Sequence, residues 1–252
     1  MRSKRIDEIV DYIYRNKTLT LDQICQQFHI SKSTLRRDLN AILSAGDIEK
    51  IYGGVTVSQR RELVSFDERN IKHPEEKKRI ASAAAQLIEN GDVIFIDSGT
   101  TTLHLLEAIS DLKNITVLTN NLEIIIRAVP FPNISVISLS GVLMRETFSF
   151  AGTNAAQVLQ NYNISKAFMA ASGFSAQNGV MNSSPLETDI KITAIERSRQ
   201  VYLLADSSKC NAVSLMTYCD LGKVDTLVTD AEPSPEIRES MEKSGGRILI
   251  AP

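Results

Sequence analysis

Apolar segments that are predicted strands alternate with helical segments from residue 92 to the end of the chain. The first strand, residues 92–97, is a continuous apolar run, typical of strands buried on both faces of a parallel sheet. Further strands are predicted near residues 115–119, 134–139, 166–171, 200–205, 226–230 and 247–250. This alternation predicts an α/β fold, in which ligands bind beyond the carboxyl ends of the strands.

A loop of glycine and hydroxyl residues follows the first strand and precedes a predicted helix that begins at Leu103. Backbone N–H groups converge at such a junction, hydroxyls add donors, and the helix dipole favours negative charge. An ordinary strand–helix turn rich in capping threonines is the alternative interpretation. Three consecutive threonines exceed what capping requires, which favours phosphate binding by Ser98, Gly99, Thr100, Thr101 and Thr102.

Polar residues follow other predicted strands at the same edge of the sheet. Lys209 comes after the strand near residues 200–205 and would supply a cation for a phosphate. Glu187 and Lys191 lie one helical turn apart and could face the pocket, although an i, i+4 pair of this kind is more often a surface pair. The candidate effector-binding residues outside the loop are Asp97, Asn120, Asn121, Ser172, Gly173, Glu187, Lys191 and Lys209.

The N-terminal residues carry a different pattern, in which three short helical segments precede a hairpin. Helices are predicted near residues 2–15 and 21–28, and a third helix begins after Ser31, whose side chain is a natural N-cap. Ala45-Gly46 ends this third helix, and β-prone residues flank Gly53-Gly54. This order of elements predicts a winged helix-turn-helix.

Short hydroxyl and cationic side chains cluster at the start of the third helix, where they can bond phosphates and base edges in a DNA major groove. Residues 1–61 hold 11 Lys/Arg and 7 Asp/Glu, and the whole chain has net charge −2, so this part carries +4 and the remainder −6. An ordinary solvated helix face is the alternative. The accompanying cap, helices and hairpin favour DNA binding by Ser31, Lys32, Ser33, Thr34, Arg36 and Arg37, with Tyr52 and Gly53 in the wing.

Asp38 lies among these DNA-facing candidates but would repel phosphate if it pointed at DNA. We therefore expect its carboxylate to orient a neighbouring arginine or to bond within the domain.

Two sets of residues resemble the DeoR/GlpR family of bacterial transcriptional regulators. The N-terminal set is Arg5-x-x-x-Ile9-x-x-x-Ile13 with Ser31-x-x-Thr34-Leu35-Arg36-Arg37-Asp38-Leu39. The second set, in the α/β part, is Glu75-Glu76-Lys77, Asp97-Ser98-Gly99-Thr100-Thr101, Thr119-Asn120-Asn121 and Asp206-Ser207-Ser208-Lys209. Together these sets extend over nearly the whole chain.

The resemblance implies a sensor domain similar to ribose-5-phosphate isomerase, with a phosphorylated sugar or related metabolite as effector. It also implies repression of a carbohydrate-metabolism operon that the ligand relieves, although the residues themselves leave repressor and activator open. Ser140-Gly141-Val142 departs from the Gly-Gly pair common in the family, so ligand preference can differ there. Repeated operators imply a homodimer or a higher homo-oligomer.

We predict a winged helix-turn-helix DNA-binding domain over residues 1–58, a linker over 59–74 and an α/β effector-binding domain over 75–252. The chain has no apolar run of about 20 residues that would span a bilayer, and no signal peptide. Three cysteines without a CxxC pair indicate a reduced cytoplasmic setting, and three scattered histidines indicate no metal site. No cofactor is expected.

A sugar-phosphate isomerase with an appended DNA-binding module is the alternative function. Isomerisation between aldose and ketose needs a positioned general base. In the isomerases that the α/β part resembles, acidic residues lie in the loop that corresponds to residues 172–177, which here hold no carboxylate. We therefore expect a sensor rather than an enzyme.

Overall fold

The computed structural model describes residues 5–6, 9–10, 12–13, 16, 18–44, 48–51, 53–57 and 64–252. The chain divides into two compact units, residues 1–62 and 63–252. Several sequence predictions lie outside the described residues, namely those on Ala45-Gly46, Asp47, Tyr52 and residues 58–61.

The first unit is a winged helix-turn-helix, as predicted. The described residues between 5 and 16 are helical, and they precede β1 (Thr18–Thr20), α1 (Leu21–Phe28), α2 (Lys32–Ser44), β2 (Ile48–Ile51) and β3 (Gly54–Val57). The strands form an antiparallel sheet in the order β1-β3-β2. Buried apolar side chains from helices and strands form one core: Ile9, Ile13, Leu19, Ile24, Leu35, Leu39, Ile42 and Val55.

Local sequence explains how this unit is held. Thr20 and Gln23 form a reciprocal capping box at the start of α1. Ser31 caps α2 as predicted, since its Oγ accepts the Thr34 N–H at 3.3 Å. Gly54 is required because a Cβ there would lie 2.3 Å from the Leu19 carbonyl oxygen of the neighbouring strand.

The second unit is built on a parallel sheet of seven strands in the order β15-β14-β12-β9-β4-β5-β6. These strands are β4 (Val93–Ile96), β5 (Ile115–Thr119), β6 (Ile134–Ser138), β9 (Ile164–Ala170), β12 (Ser198–Leu204), β14 (Thr226–Thr229) and β15 (Arg247–Ile250). Ile94, Phe95 and Ile96 are fully buried, as expected for a strand covered on both faces. The predicted α/β fold is thus confirmed.

Helices cover both faces of this sheet. They are α3 (Phe66–Asn70), α4 (Pro74–Ala85), α5 (Leu105–Ala108), α6 (Leu122–Ala128), α7 (Thr153–Leu159), α8 (Pro185–Glu196) and α9 (Pro235–Lys243). One apolar cluster holds residues of α4, α5 and α6, and a second holds residues of α7, α8 and α9.

Five short antiparallel strands were not predicted. They are β7 (Val142–Met144), which pairs with β8 (Ser149–Ala151), and β10 (Gly173–Ser175), β11 (Gly179–Asn182) and β13 (Met216–Cys219), which form a separate sheet. Segments of three or four residues are too short to show an alternating pattern, because two of their side chains at most share a face.

Some predicted helix boundaries were wrong. The sequence predicts a helix from Pro74 to about Glu89, but it ends at Ala85, since the N–H groups of Leu87 and Ile88 bond to carbonyls only three residues back. The helix expected from Leu103 starts as a 3₁₀ turn, Thr102–His104. Part of the predicted linker forms α3, whose Phe66 is buried in the core of the second unit.

No helix among the residues that the structure describes has both the length and the apolar content needed to cross a membrane.

Candidate functional sites

The candidate DNA-binding residues lie on the exposed face of α2. Arg36 and Arg37 are exposed, whereas Leu35 and Leu39 from the same helix are buried in the core of the first unit. Ser31, Lys32 and Ser33 are also exposed, and Thr34 is half-buried. The amphipathic pattern therefore leaves the predicted cations facing outward from the unit.

Four of these side chains already have partners. The Lys32 ammonium lies 2.6 Å from the Asp22 carboxylate of α1, in a solvent-exposed ion pair of small energetic weight. The Ser31 hydroxyl lies 2.9 Å from the Ser33 hydroxyl and 3.0 Å from that of Thr34. Arg36 and Arg37 form no hydrogen bond or ion pair with any described residue, so they are the stronger candidates for DNA contact.

Asp38 does not belong to the DNA-facing surface. Its carboxylate is buried and accepts from Arg5 Nε at 2.9 Å and Nη2 at 2.8 Å. The expectation that it bonds within the domain is confirmed, and the pair connects α2 to the first helical segment, which contains Arg5. In the wing, Gly53 is exposed with a φ of 78°, and Tyr52 lies outside the described residues.

In the second unit, the loop of residues 98–102 is folded tightly against the sheet. Thr102 Oγ1 donates to the Asp97 carbonyl at 2.6 Å and accepts the Gly99 N–H at 3.2 Å, so its hydroxyl is used inside the loop. A Cβ on Gly99 would lie 2.2 Å from Ala170 Cβ. Among the described residues, the hydroxyls of Thr100 and Thr101 form no hydrogen bond. We therefore assign Thr102 to the support of the loop, whereas the hydroxyls of Thr100 and Thr101, which are buried, are left for a ligand.

Asp97 and Lys191 form a buried ion pair beneath this loop. Asp97 also accepts the backbone N–H groups of Ser98 at 2.9 Å and Ala170 at 2.8 Å. Lys191 lies over the Tyr218 ring, 5.2 Å from its centroid. These contacts satisfy both charges, so the pair positions the loop and the end of β9.

Glu187 and Lys191 do not form a surface pair, the alternative that their spacing left open. Both side chains are buried, with 6% and 4% of their surface exposed, because α8 packs this face against the sheet. Glu187 accepts hydrogen bonds from the hydroxyls of Ser98 and Ser149 instead. The structure thus brings Glu187 to the predicted loop but gives Lys191 a different partner.

Asn120 and Asn121 lie at the carboxyl end of β5 with unsatisfied polar atoms. Asn121 Oδ1 caps α6 by accepting the Glu123 N–H at 2.8 Å, whereas its Nδ2 is buried without a partner among the described residues. Asn120 Nδ2 donates to the Phe150 carbonyl at 3.2 Å, and its Oδ1 is likewise unpartnered. Leaving a buried polar atom unpaired costs about 1–3 kcal/mol, so each of these atoms needs a partner from outside the chain, a ligand or an ordered water.

Sequence reasoning missed Arg69 on α3. Burial lowers the pKa of its guanidinium, and Glu187 and Asp97 act in the opposite direction. Its Nη2 is buried without a partner among the described residues. Arg69 stands in a charged stretch that resembled a connector, so only its three-dimensional position marks it.

Lys77, on the first turn of α4, was quoted for the family resemblance but not assigned to the site. Burial lowers its pKa to about 8, opposed by Asp206, while Lys209 and Arg69 lower it further. Its Nζ donates to the Arg69 carbonyl. One signal was present in the sequence, because Lys77 shares the helical stripe of Ile80, Ala81 and Ala84.

The remaining predicted residues have different surroundings. Lys209 is half-buried in a 3₁₀ turn after β12, and its positive charge contributes to lowering the pKa of Lys77. Ser172 is half-buried beside the Ser183 hydroxyl, at 3.3 Å. A Cβ on Gly173 would lie 2.1 Å from the Ala212 carbonyl oxygen, so this glycine permits close packing of two chain segments.

Within the described part of the chain, no group of three or more His, Cys, Asp or Glu side chains is placed to hold a metal ion.

An exposed basic helix in a winged helix-turn-helix unit, joined in one chain to an α/β unit with unpartnered buried polar atoms near the carboxyl ends of its strands, defines a DNA-binding regulator with a sensor domain. The chain belongs to the DeoR family of such regulators. Residues 5–61 match the DeoR-like helix-turn-helix domain, and residues 72–231 match the DeoR C terminal sensor domain. The resemblance inferred from the sequence is thereby confirmed.

Relatives with this arrangement match over nearly their full length. The HTH-type transcriptional regulator IolR of Bacillus subtilis is 44% identical, with 91% of each chain covered. The lactose phosphotransferase system repressor of Streptococcus mutans is 31% identical, with 94% of this chain and 96% of that chain covered.

Among solved structures, ribose 5-phosphate isomerase from Plasmodium falciparum is 16% identical, with a TM-score of 0.39 over 53% of this chain and 51% of that one. This likeness is too distant to bear on function.

Proposed function

We propose that this regulator is a repressor of a carbohydrate-metabolism operon and that a phosphorylated sugar or related metabolite controls its affinity for operator DNA. The observation that carries the proposal is a group of buried polar atoms without a partner among the described residues, which we call the pocket. They belong to Asn120 and Asn121 at the carboxyl end of β5 and to Arg69, whose charge interacts with that of Asp97 at the end of β4. Native proteins leave few buried polar groups unpaired, so these atoms need a partner from outside the chain.

The phosphate is proposed to bind at the loop of residues 98–102. Thr100 and Thr101 supply hydroxyl donors there, and the ammonium groups of Lys77 and Lys209 supply positive charge. The loop and Lys209 follow β4 and β12, in line with the carboxyl-end rule for ligand sites in α/β sheets, and Lys77 interacts electrostatically with Lys209. Asp97, Lys191 and Thr102 hold this arrangement in place through the contacts described above.

The polyhydroxyl part of the effector is proposed to bind at the adjacent amide and carboxylate groups. Asn121 Nδ2 and Arg69 Nη2 are donors, and Asn120 Oδ1 is an acceptor, so together they suit hydroxyl or carbonyl oxygens. Glu187 holds Ser98 and Ser149 on either side of this region. Such a mixed donor and acceptor lining discriminates sugars from simple phosphates.

DNA is proposed to be bound by α2 through Ser31, Lys32, Ser33, Thr34, Arg36 and Arg37, with the wing at Tyr52 and Gly53 contacting the backbone or the minor groove. A homodimer or higher homo-oligomer in the cytoplasm would read a repeated operator. The effector changes DNA affinity only to the extent that it binds the DNA-competent and DNA-incompetent states unequally.

The proposal is tested with the full chain and an operator selected by it from a random duplex library. Thermal unfolding is measured with glucose 6-phosphate, fructose 6-phosphate, ribose 5-phosphate and inorganic phosphate, because a ligand of the native state raises the unfolding temperature. Operator affinity is measured with the same compounds. We expect a sugar phosphate to stabilise the chain more than inorganic phosphate does and to weaken operator binding. A set of sugar phosphates that leaves both quantities unchanged argues against it.

A further inference from the structure

A short segment, residues 146–150, lies between the pocket and α3, and we call it the bridging segment. It ends in β8 of the β7–β8 hairpin, and its backbone bonds in two directions. Helix α3 is the first described helix after the DNA-binding unit in sequence. The bridging segment therefore contacts both the candidate ligand site and α3, the described helix of the second unit that lies nearest in sequence to the DNA-binding unit.

On the pocket side, the bridging segment pairs with the carboxyl end of β5. The Phe150 N–H donates to the Asn120 carbonyl at 2.8 Å, and the Leu122 N–H donates to the Phe148 carbonyl at 2.8 Å. The Ser149 hydroxyl donates to Glu187 and is buried with Thr147, 2.7 Å from the Thr147 hydroxyl. Asn120 and Asn121, with their unpartnered atoms, thus bond or bridge directly to this segment.

On the other side, the bridging segment holds the start of α3. The Phe66 N–H donates to the Glu146 carbonyl at 2.7 Å, and the Phe66 and Phe148 rings lie 5.2 Å apart between centroids. Arg69 lies over the same Phe66 ring, at 5.6 Å, while its Nη2 is one of the unpartnered pocket atoms. The ring pair and the guanidinium therefore form one packed unit.

The backbone at Phe148 is held in a strained conformation. Its φ of 49° is left-handed, a conformation that costs energy in a residue with a side chain. Such strain persists where surrounding contacts impose it, and here these are the Phe66 ring and the Leu122 amide. A change in either contact would therefore weaken what holds this residue in its strained conformation.

We propose that the bridging segment couples occupancy of the pocket to the position of α3, and so to the DNA-binding unit that precedes it in sequence. This inference rests on the proposed ligand site and goes beyond it by naming the element that transmits the signal. A ligand that forms hydrogen bonds with the unpartnered atoms of Asn120, Asn121 and Arg69 acts on the bridging segment from the pocket side. It acts on α3 through Arg69.

The test measures hydrogen exchange of the full chain without ligand. Phe66→Leu keeps an apolar side chain but removes the ring contact with Phe148, and Phe131→Leu is the matched control from the same apolar cluster. We expect Phe66→Leu to speed exchange roughly tenfold at residues 119–123 and 146–150, because local opening becomes easier. The control should leave both stretches unchanged.

A second pair of variants tests the coupling in the opposite direction, from the pocket side to α3. Ser149→Ala removes the hydroxyl that bonds Glu187 and should speed exchange at residues 64–70, whereas Ser175→Ala, another buried serine in a short strand, should not. Effects confined to the immediate neighbours of each substitution would overturn the proposal. Since no sugar phosphate is present, this outcome does not depend on whether the effector is a sugar phosphate.

With a sugar phosphate that stabilises the wild-type chain among the three named above, Phe66→Leu should still be stabilised. In this variant, the ratio of the operator dissociation constant with that compound to the one without it should fall towards one. A wild-type ratio in Phe66→Leu would also overturn the proposal.

Discussion

The surroundings of Lys77 disfavour the protonated form of its side chain. Its side chain is buried on the apolar stripe of α4, and this burial lowers its pKa from 10.5 to about 8. An anion in the pocket would offset that penalty, because opposite charge favours the protonated form. A depressed lysine pKa beside unpartnered polar atoms is therefore a mark of a ligand site as well as of burial.

This pKa predicts how stability varies with pH. Between pH 8 and 10.5 the unfolded chain binds more protons than the folded one, so the unfolding free energy should rise over that range, by up to about 3 kcal/mol. Urea unfolding at pH 7.5 and pH 10 measures the rise. Lys77→Met should lose this contribution, and the exposed neighbour substitution Lys78→Met should retain it. An equal pH dependence in both variants would contradict the assignment.

Arg36 is the residue on which the DNA-binding account depends most. If its guanidinium contacts a base, Arg36→Ala should weaken operator binding by about 1–3 kcal/mol and relax sequence preference. Fluorescence anisotropy with the selected operator and single-base variants measures both effects. Arg247→Ala removes an exposed arginine of the second unit and serves as control. Unchanged operator affinity in Arg36→Ala would remove this residue from the interface.

Among the elements, the loop of residues 98–102 holds one threonine that supports its own fold, Thr102, and two that are proposed to bind the phosphate, Thr100 and Thr101. Thr102→Val removes the hydroxyl that bonds the Asp97 carbonyl and the Gly99 N–H, and leaves buried backbone groups unpaired. We expect it to lower the unfolding free energy by about 1–3 kcal/mol. Thr101→Val should unfold much like the wild type in the same denaturation experiment. Equal stability of the two variants would show that Thr102 has no special role.

The end of β4 depends on the buried ion pair. Lys191→Met leaves the Asp97 carboxylate buried without its cation, which should cost about 3–5 kcal/mol. The double variant Asp97→Asn with Lys191→Met should recover part of that loss in chemical denaturation. If the single and double variants are equally destabilised, the pair does not act as a unit.

Elements with strong local patterns were predictable from the sequence, and the rest were not. The Ser31 cap, the apolar faces of α2 and the buried run of β4 follow from spacing alone. Burial of Glu187 and Lys191 depends on the packing of α8 against β9 and β12, which no local spacing encodes. Arg69 joins the pocket only because α3 folds onto the second unit through Phe66.

At the scale of the whole molecule, the two units have separate cores. The first contains the helix-turn-helix domain and the second the sensor domain. The first unit exposes cations on α2, and the second holds its unpartnered polar atoms inside. Family membership covers both units, at residues 5–61 and 72–231. A protein of this design responds to a metabolite only if occupancy of the second unit changes the DNA affinity of the first.

That dependence is measured most directly by titrating operator DNA with the wild-type chain and with Thr101→Val, in the presence and absence of the sugar phosphate that stabilises the wild type. We expect this compound to weaken operator binding by the wild type. In Thr101→Val, the same concentration should leave operator affinity unchanged, and affinity for DNA without the compound should equal that of the wild type. Thr116→Val, a matched change at the opposite end of β5, should respond like the wild type. A full response in Thr101→Val would contradict the placement of the phosphate at this loop.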